Sequence, residues 1–440
     1  MIKLYPHQQQ ALDDTKELNH VAYYHDMGLG KTFTGAEKMM EFCTTANLVV
    51  CQKSKVSGDD SWIEHFENNY SEHPYCTEIF NLTKPKQFER FINLCEQEAD
   101  DELNPCQFIG VINYDLLFRR KELSRLRDFT LMLDESSLIT NENSKRAKFI
   151  LNELQPANII LLSGTPTNGK YERLWSQLHL LGWKISKELY WKQYVDVQYI
   201  DDGQGFPIKV IRGYKNVERL KNKMREYGCR FLKTEDVYDL PDQTFINIGV
   251  PTPKQYDTFI KDSIATVDER EFVGDTILTK SLYARMICGS YSPEKMEAFK
   301  DLLESTEDRL IVFYNFNEEL RKIEDLCNEL DKPLSIINGQ TKDLSCYNEY
   351  DNSVTAVQYQ AGAMGGNYQK ANKIIYFTLP WGLGSCGLWE QSKKRIHRIG
   401  QKRPCFYYTL LCKGTIEETN LLALQEGKEL TDDLFREVQK

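Results

Sequence analysis

The sequence lacks any apolar run approaching the roughly 18–20 residues that a membrane-spanning helix needs. Its start, MIKLYPHQQQ, lacks the apolar core of a secretory signal peptide. Twelve cysteines are present, but no two have C-x-x-C spacing, so the sequence does not support a structural zinc site. We therefore predict an intracellular protein with no membrane partner, in which the cysteines are small buried hydrophobic residues.

The chain also lacks an excess of positive charge, because 55 Lys and Arg stand against 65 Asp and Glu. A net charge of −10 argues against a protein that coats nucleic acid. It does not exclude a motor on DNA, since backbone N–H groups and local basic clusters can hold phosphates. Two such clusters exist: residues 393–403 hold six Lys or Arg and no acid, and residues 212–233 hold eight against two acids.

Short apolar runs alternate with helical patterns, which indicates an α/β fold of parallel sheets flanked by helices. The runs form two series, at 21–24, 47–51, 108–113, 129–134 and 158–163, and at 309–314, 334–338, 355–359, 373–377 and 405–411. A chain of 440 residues suits two domains of about 150–200 residues with insertions. The predicted domains are a first lobe over 1–250 with a helical insertion at about 183–235, a helical connector over 251–305, and a second lobe over 306–440.

A glycine-rich loop follows the first strand pattern and opens a helix. Its residues are Asp26, Met27, Gly28, Leu29, Gly30, Lys31 and Thr32. Backbone N–H groups at such a helix start can hold the phosphates of ATP, with Lys31 reaching the β- and γ-phosphates and Thr32 binding Mg²⁺. The strict phosphate-loop pattern has Gly five residues before Gly30, where this chain has His25.

Two acids end a later apolar strand, at Asp134 and Glu135. We expect Asp134 to hold Mg²⁺ and Glu135 to polarise the attacking water. The next strand ends at Ser163 and Thr165, whose hydroxyl groups could bond to these acids and sense the γ-phosphate. The alternative for this second pair is an ordinary turn, because Gly-Thr-Pro is common turn chemistry.

Arg395 and Arg398 lie in the basic stretch near the C-terminus. At positions i and i+3 they would share one face of a helix, and could stabilise the charge that develops during phosphoryl transfer. The alternative is a solvated basic helix end.

In this order the motifs resemble those of the Swi/Snf-type ATPases of helicase superfamily two, over nearly the whole chain. Residues 26–32 are similar to the family's D-E-M-G-L-G-K-T, and 391–401 to its arginine-finger motif. Residues 134–137, Asp-Glu-Ser-Ser, depart from its D-E-A-H at the last two positions. The resemblance implies two RecA-like lobes.

The resemblance also implies further site residues. Gln8 matches the family's adenine-reading glutamine. Lys53 and Ser54 match a segment that touches the DNA backbone. In the second lobe the corresponding nucleic-acid or coupling residues are Gly362, Gly365, Asn367 and Trp381, with Ala363 where the family has another glycine.

The implied function is a DNA-stimulated ATPase that uses ATP and Mg²⁺ to move along duplex or branched DNA, for remodelling or branch migration, without sequence preference. A strand-separating helicase on single-stranded DNA stays open, as does an ATP-binding DNA scaffold with little hydrolysis. The short insertions resemble those of a minimal bacterial or phage member. We expect a monomer, cytoplasmic in a bacterial or phage-infected cell with a nuclear location left open, and protein partners in replication or recombination.

Overall fold

The computed structural model describes residues 3–71, 77–97, 106–201, 207–268, 270–359, 366–382 and 384–435. The chain divides into two compact units, Met1–Val237 with Leu430–Lys440, and Tyr238–Glu429. Each unit is built on a parallel sheet with helices on it, which confirms the predicted fold of two RecA-like lobes.

The sheet of the first unit has seven strands: β1 His20–His25, β2 Ala46–Cys51, β3 Thr77–Asn81, β4 Gln107–Asn113, β5 Thr130–Asp134, β6 Asn158–Leu162 and β9 Cys229–Leu232. Their order in the sheet is β3-β4-β2-β5-β6-β1-β9. Successive residues of β1 pack into different cores, Val21 and Tyr23 on one side and Ala22 and Tyr24 on the other. Both faces are therefore covered, which explains why these strands are continuous apolar runs.

Helices of the first unit connect these strands. They span Pro6–Asp13, Lys31–Glu41, Trp62–Tyr70, Pro85–Gln97, Tyr114–Leu117, Lys145–Asn152, Trp175–Leu180, Lys187–Tyr194 and Val217–Glu226. Within the insertion the last two flank an antiparallel hairpin, β7 Val195–Asp201 and β8 Pro207–Tyr214, which pairs only with itself among the described residues.

The sheet of the second unit has six strands: β10 Gln243–Val250, β13 Leu310–Tyr314, β14 Leu334–Ile337, β15 Val354–Gln358, β16 Lys373–Tyr376 and β17 Cys405–Cys412. Their order in the sheet is β10-β17-β16-β13-β15-β14. A second hairpin, β11 Ile264–Val267 with β12 Arg270–Val273, lies in the connector. The helices are Lys254–Asp262, Ile277–Ser290, Pro293–Glu304, Asn317–Glu329, Ser345–Glu349, Ser385–Lys393 and the part of Ile416–Phe435 that precedes Leu430.

The structure moves the predicted lobe boundaries at both ends. Strand β10 falls inside the first lobe predicted over 1–250, but it pairs along its length with β17 in the second sheet. Residues from Leu430 group with the first unit, where the Tyr171 hydroxyl donates to the Leu430 carbonyl at 2.7 Å. An edge strand such as β10 is half exposed, so its residues do not form the continuous apolar run that marked the central strands.

No helix among the described residues is long and apolar enough to cross a membrane.

Candidate active site

The phosphate-loop motif connects β1 to the helix Lys31–Glu41. Gly28 and Gly30 have φ angles of 89° and 70°, a left-handed conformation that favours glycine. A Cβ on Gly30 would lie 2.2 Å from Gln8 Nε2, so a larger residue here would displace the Gln8 amide. The loop therefore has the backbone shape that its glycines predicted.

The Lys31 side chain is held by backbone carbonyl groups of the residues just before the loop glycines. The Lys31 ammonium donates to the carbonyl oxygens of His25 (2.8 Å) and Asp26 (3.1 Å). His25 is the last residue of β1 and is buried, and burial lowers the pKa of its imidazole to about 3. His25, the residue that departs from the strict phosphate-loop pattern, thus has an uncharged, buried side chain. Its backbone carbonyl positions Lys31.

Gln8 is buried and bonds to the same loop. Its amide donates to the carbonyls of Leu29 (3.3 Å) and Gly30 (3.2 Å), and its oxygen accepts from the Tyr5 backbone N–H (2.9 Å). The structure therefore places Gln8 beside the phosphate loop and gives it a supporting role there. The predicted contact of Gln8 with adenine stays a prediction.

Asp134 ends β5, two strands from β1. Leu162 of β6 is in register with both Asp134 and Tyr23, so β1, β5 and β6 end at the same edge of the sheet. Burial raises the pKa of the Asp134 carboxyl, and the Lys31 charge is among the influences that lower it. The register brings Lys31, Asp134 and the loop after β6 to one edge, as the motif spacing predicted.

Trp62 was not assigned a catalytic role from the sequence, yet it contacts the metal-binding candidate directly. Its indole N–H donates to Asp134 Oδ2 at 2.9 Å. Trp62 opens the helix Trp62–Tyr70, whose N-cap Ser61 accepts from the Glu64 N–H (3.2 Å). The sequence gave no sign of this contact, because Trp62 and Asp134 are 72 residues apart and only the fold brings them together.

Glu135 has φ 56° and ψ 56°, a left-handed conformation that is uncommon for a residue with a side chain. Such conformations cost about 1–3 kcal/mol and concentrate at functional sites. The strand ends at Asp134, so this backbone geometry turns the chain immediately after the two acids.

The loop after β6 carries Ser163 and Thr165, both buried. Ser163 Oγ accepts from the Thr165 N–H at 3.1 Å, and a Cβ on Gly164 would lie 3.6 Å from Lys31 Nζ. The loop thus packs beside the phosphate loop. The γ-phosphate-sensing role of its hydroxyl groups stays a prediction.

Gln177 is a second residue that the sequence did not reveal. It is fully buried, and its oxygen accepts from the hydroxyls of Tyr24 (2.9 Å) and Ser136 (2.7 Å). Its amide donates to the Pro166 carbonyl at 2.8 Å. Ser136, one of the two departures from D-E-A-H, therefore bonds to a side chain that also joins β1 and the loop after β6.

Lys53 and Ser54 are exposed on a 3-10 turn, Lys53–Lys55, that follows β2. Because β2 is parallel to β5, they lie at the same edge of the sheet as Asp134. In the basic stretch 212–233, by contrast, Lys221 is buried against Glu218 and Lys223 is paired with Glu226. Two of the eight basic residues of this local cluster are therefore held in ion pairs within the protein.

The second unit carries the predicted arginines, but not on a helix. The helix ends at Lys393, and Arg395 and Arg398 lie in successive turns. Ile396 is fully buried, and the Lys393 carbonyl accepts from the His397 N–H (3.3 Å) and the Tyr407 hydroxyl (3.2 Å), so one further hydrogen-bonded turn follows the helix. The i, i+3 spacing predicted a helix for both arginines, and the structure places them after the helix has ended.

The two arginines have different surroundings. Arg395 is buried and donates to the Gly366 carbonyl at 3.0 Å, whereas Arg398 is half-buried. A buried, hydrogen-bonded Arg395 contradicts the alternative of a solvated helix end. Their role as arginine fingers stays a prediction.

The remaining second-unit predictions have separate outcomes. Gly362 and Gly365 lie outside the described residues. Asn367 Oδ1 accepts from the Gln369 N–H at 3.3 Å, and Trp381 is 39% exposed with the Arg285 guanidinium 5.4 Å from its ring centre. Trp381 is thus an accessible aromatic residue in a cation–π contact with Arg285.

The comparison with protein families decides the assignment. A model of the SNF2-related domain matches residues 19–292. The chain belongs to this family. The match includes Lys31, Asp134, Glu135 and Ser163, and the predicted resemblance to Swi/Snf-type ATPases is confirmed.

Individual relatives are distant and longer. The chain is 25% identical over 357 residues to a mouse SWI/SNF-related regulator of chromatin, subfamily A member 1, covering 72% of this chain and 33% of that protein. It is 23% identical to the putative ATP-dependent helicase/translocase YwqA of Bacillus subtilis (72% and 36%) and 24% identical to the mouse DNA annealing helicase and endonuclease ZRANB3 (92% and 38%). The chain therefore spans about a third of the length of these relatives.

Among solved structures, the Sulfolobus solfataricus SWI2/SNF2 ATPase core in complex with dsDNA is 20% identical, with coverage of 98% of this chain and 93% of that one, at a TM-score of 0.40.

Proposed function

We propose that the protein is a DNA-stimulated ATPase that moves along double-stranded or branched DNA. The observation that carries the proposal is that Lys31 and Asp134 lie at the same edge of the first sheet. The chain also belongs to the SNF2-related family. The names of its relatives, which include a helicase/translocase and a DNA annealing helicase, support DNA as the nucleic acid.

The nucleotide site fits ATP with Mg²⁺. Asp134 is a partly buried carboxylate with one oxygen fixed by Trp62, and Thr32 lies in the first turn of the helix Lys31–Glu41, so both offer the oxygen ligands that Mg²⁺ prefers. When bound, the ion would neutralise phosphate charge. Lys31, now bonded to two loop carbonyls, would exchange these bonds for the β- and γ-phosphate oxygens.

Glu135 is the proposed general base. Its carboxylate would orient a water molecule and accept its proton while the bond from the γ-phosphorus to the leaving oxygen of ADP breaks. Arg395 and Arg398 would stabilise the charge on the transferred phosphoryl group. Lys53, Ser54, Asn367 and Trp381 would contact the DNA, and phosphate contacts of this kind give binding without sequence preference.

The test compares ATPase rates with no nucleic acid, single-stranded DNA, blunt duplex, a four-way junction and RNA. We expect duplex and junction to stimulate hydrolysis most. Stimulation by single-stranded DNA alone would favour the strand-separating helicase instead. A rate that no nucleic acid changes would reject the proposal, and a very low rate under all conditions would favour the ATP-binding scaffold.

A further inference from the structure

A groove in the insertion lies apart from the nucleotide site. It has a volume of about 510 Å³ and lies between the helix Lys187–Tyr194 and the hairpin strand β7. Volumes of about 300–1,000 Å³ are typical of sites that enclose a small ligand. The groove can therefore hold a single nucleotide unit, but it is far too small for a duplex.

The groove is locally basic in an acidic chain. Lys192, Lys209 and Lys215 line it and are exposed, while Lys187, a fourth lining lysine, is paired with Glu142. Glu188 and Asp196 are the acids of the lining. Positive charge exceeds negative charge here although the whole chain has a net charge of −10. An anionic ligand is favoured.

Aromatic rings lie among these lysines. Tyr199 is 64% exposed and stands opposite Lys209 in the hairpin register. The Lys209 ammonium is 3.6 Å from the centre of the Trp191 ring. A large exposed aromatic residue beside lysines is the combination by which proteins bind unpaired nucleic acid, with bases stacked on rings and phosphates on cations.

We propose that this groove binds an unpaired strand of a branched DNA. One base would stack on Tyr199, beside Trp191, and the flanking phosphates would contact Lys192 and Lys215. A duplex cannot use the site in this way because its base faces are already stacked. The proposal rests on the proposed function, and it names the part of a branched substrate that the insertion would recognise.

The first test replaces Tyr199. Because this side chain is largely exposed, its replacement removes little packing from the folded protein. Affinity is measured by fluorescence anisotropy for a fork with one single-stranded arm and for a blunt duplex of equal length. Tyr199→Ala should bind the fork roughly ten-fold more weakly and the blunt duplex normally. Tyr199→Phe, which keeps the ring, should match the wild type on both.

The second test uses charge. Lys192→Gln with Lys215→Gln should weaken fork binding and reduce the salt dependence by up to about 1.4 units, at about 0.7 per single-strand phosphate contact. Lys86→Gln, an exposed lysine on another helix of the first unit, is the matched control and should change neither value.

Two results would overturn the proposal: unchanged fork affinity in Tyr199→Ala, or equal losses on fork and blunt duplex, which would make the groove a duplex contact. The ATPase rate of the wild-type protein on blunt duplex tests the proposed function separately from the groove. Wild-type protein without duplex-stimulated hydrolysis would reject the function, whereas the binding comparison would still decide the groove.

Discussion

Glu135 combines an unusual backbone conformation with a position directly after the metal-binding candidate, Asp134. If it is the general base, Glu135→Gln should slow hydrolysis by a factor of roughly 10² or more with little effect on nucleotide binding. Lys31→Ala should abolish hydrolysis and also weaken nucleotide binding, because a phosphate contact is lost. Single-turnover ATPase rates and binding of a fluorescent nucleotide distinguish the two variants. Near-normal turnover in Glu135→Gln would remove it from the mechanism.

Trp62 offers a sharper test of the metal site. Burial raises the pKa of Asp134 and the Trp62 hydrogen bond lowers it, so Trp62→Phe should raise that pKa further. Because Mg²⁺ binds the ionised carboxylate, activity should then be lost at a higher pH as the solution is acidified. The Mg²⁺ concentration for half-maximal ATPase should rise about 10–100-fold, as for other partners that orient a ligand.

The matched control for this variant is Trp175→Phe. It removes an indole hydrogen bond of the same 2.9 Å length, to the Ile185 carbonyl instead of Asp134. The same Mg²⁺ requirement in both variants would show that Trp62 acts only through packing.

At the scale of elements, Glu319 links the start of the helix Asn317–Glu329 to the loop after β16. Its Oε2 accepts from the N–H groups of Asn315 (2.8 Å) and Phe316 (3.1 Å) and from the Thr378 hydroxyl (3.0 Å). Burial raises its pKa from 4.5 to about 7. The folded state thus holds a proton that the unfolded chain releases at lower pH.

The sign of the effect on stability follows from this difference. Between about pH 4.5 and 7 the folded state binds more protons, so the Glu319 contribution to stability is full below this window and is lost as the pH rises through it. Glu319→Gln cannot titrate. The difference in unfolding free energy between wild type and variant should shift by on the order of 3 kcal/mol across the window. Chemical denaturation at pH 5 and pH 8 measures it, and a constant difference would contradict the raised pKa.

The central strands were predictable because burial on both faces makes them continuous apolar runs. The segments 21–24, 129–134 and 158–163 all lie in or beside observed strands. Strands β9 and β10 were missed because edge strands are half exposed and their pairing depends on distant segments. The hairpin β7–β8 was missed within an insertion predicted as helical.

The same distinction holds within the site. Lys31 and Asp134 each lie in a short contiguous motif, so both could be predicted from local pattern and from the family resemblance. Trp62 and Gln177 could not, because each acts through hydrogen bonds to residues far away in the chain. Arg395 and Arg398 were identified by motif, while the helix predicted for them ends before both, at Lys393.

At the scale of the whole molecule, the proposed function requires hydrolysis to depend on DNA through both units. Arg398→Ala should leave ATP and DNA binding nearly normal and reduce DNA-stimulated hydrolysis on the order of 10³-fold, as for other arginine fingers. Arg403→Ala is the control: it lies in the same basic cluster, but its guanidinium pairs with Asp308 at 3.0 Å. An unchanged stimulated rate in Arg398→Ala would show that this residue is not a finger.

The central claim is movement along duplex DNA, and displacement of a third strand from a DNA triplex measures it most directly. With ATP and Mg²⁺, the wild-type protein should release the third strand and leave the underlying duplex intact, while Glu135→Gln should release none. ATP hydrolysis without release of the third strand would contradict translocation. Separation of the duplex itself would identify a strand-separating helicase instead.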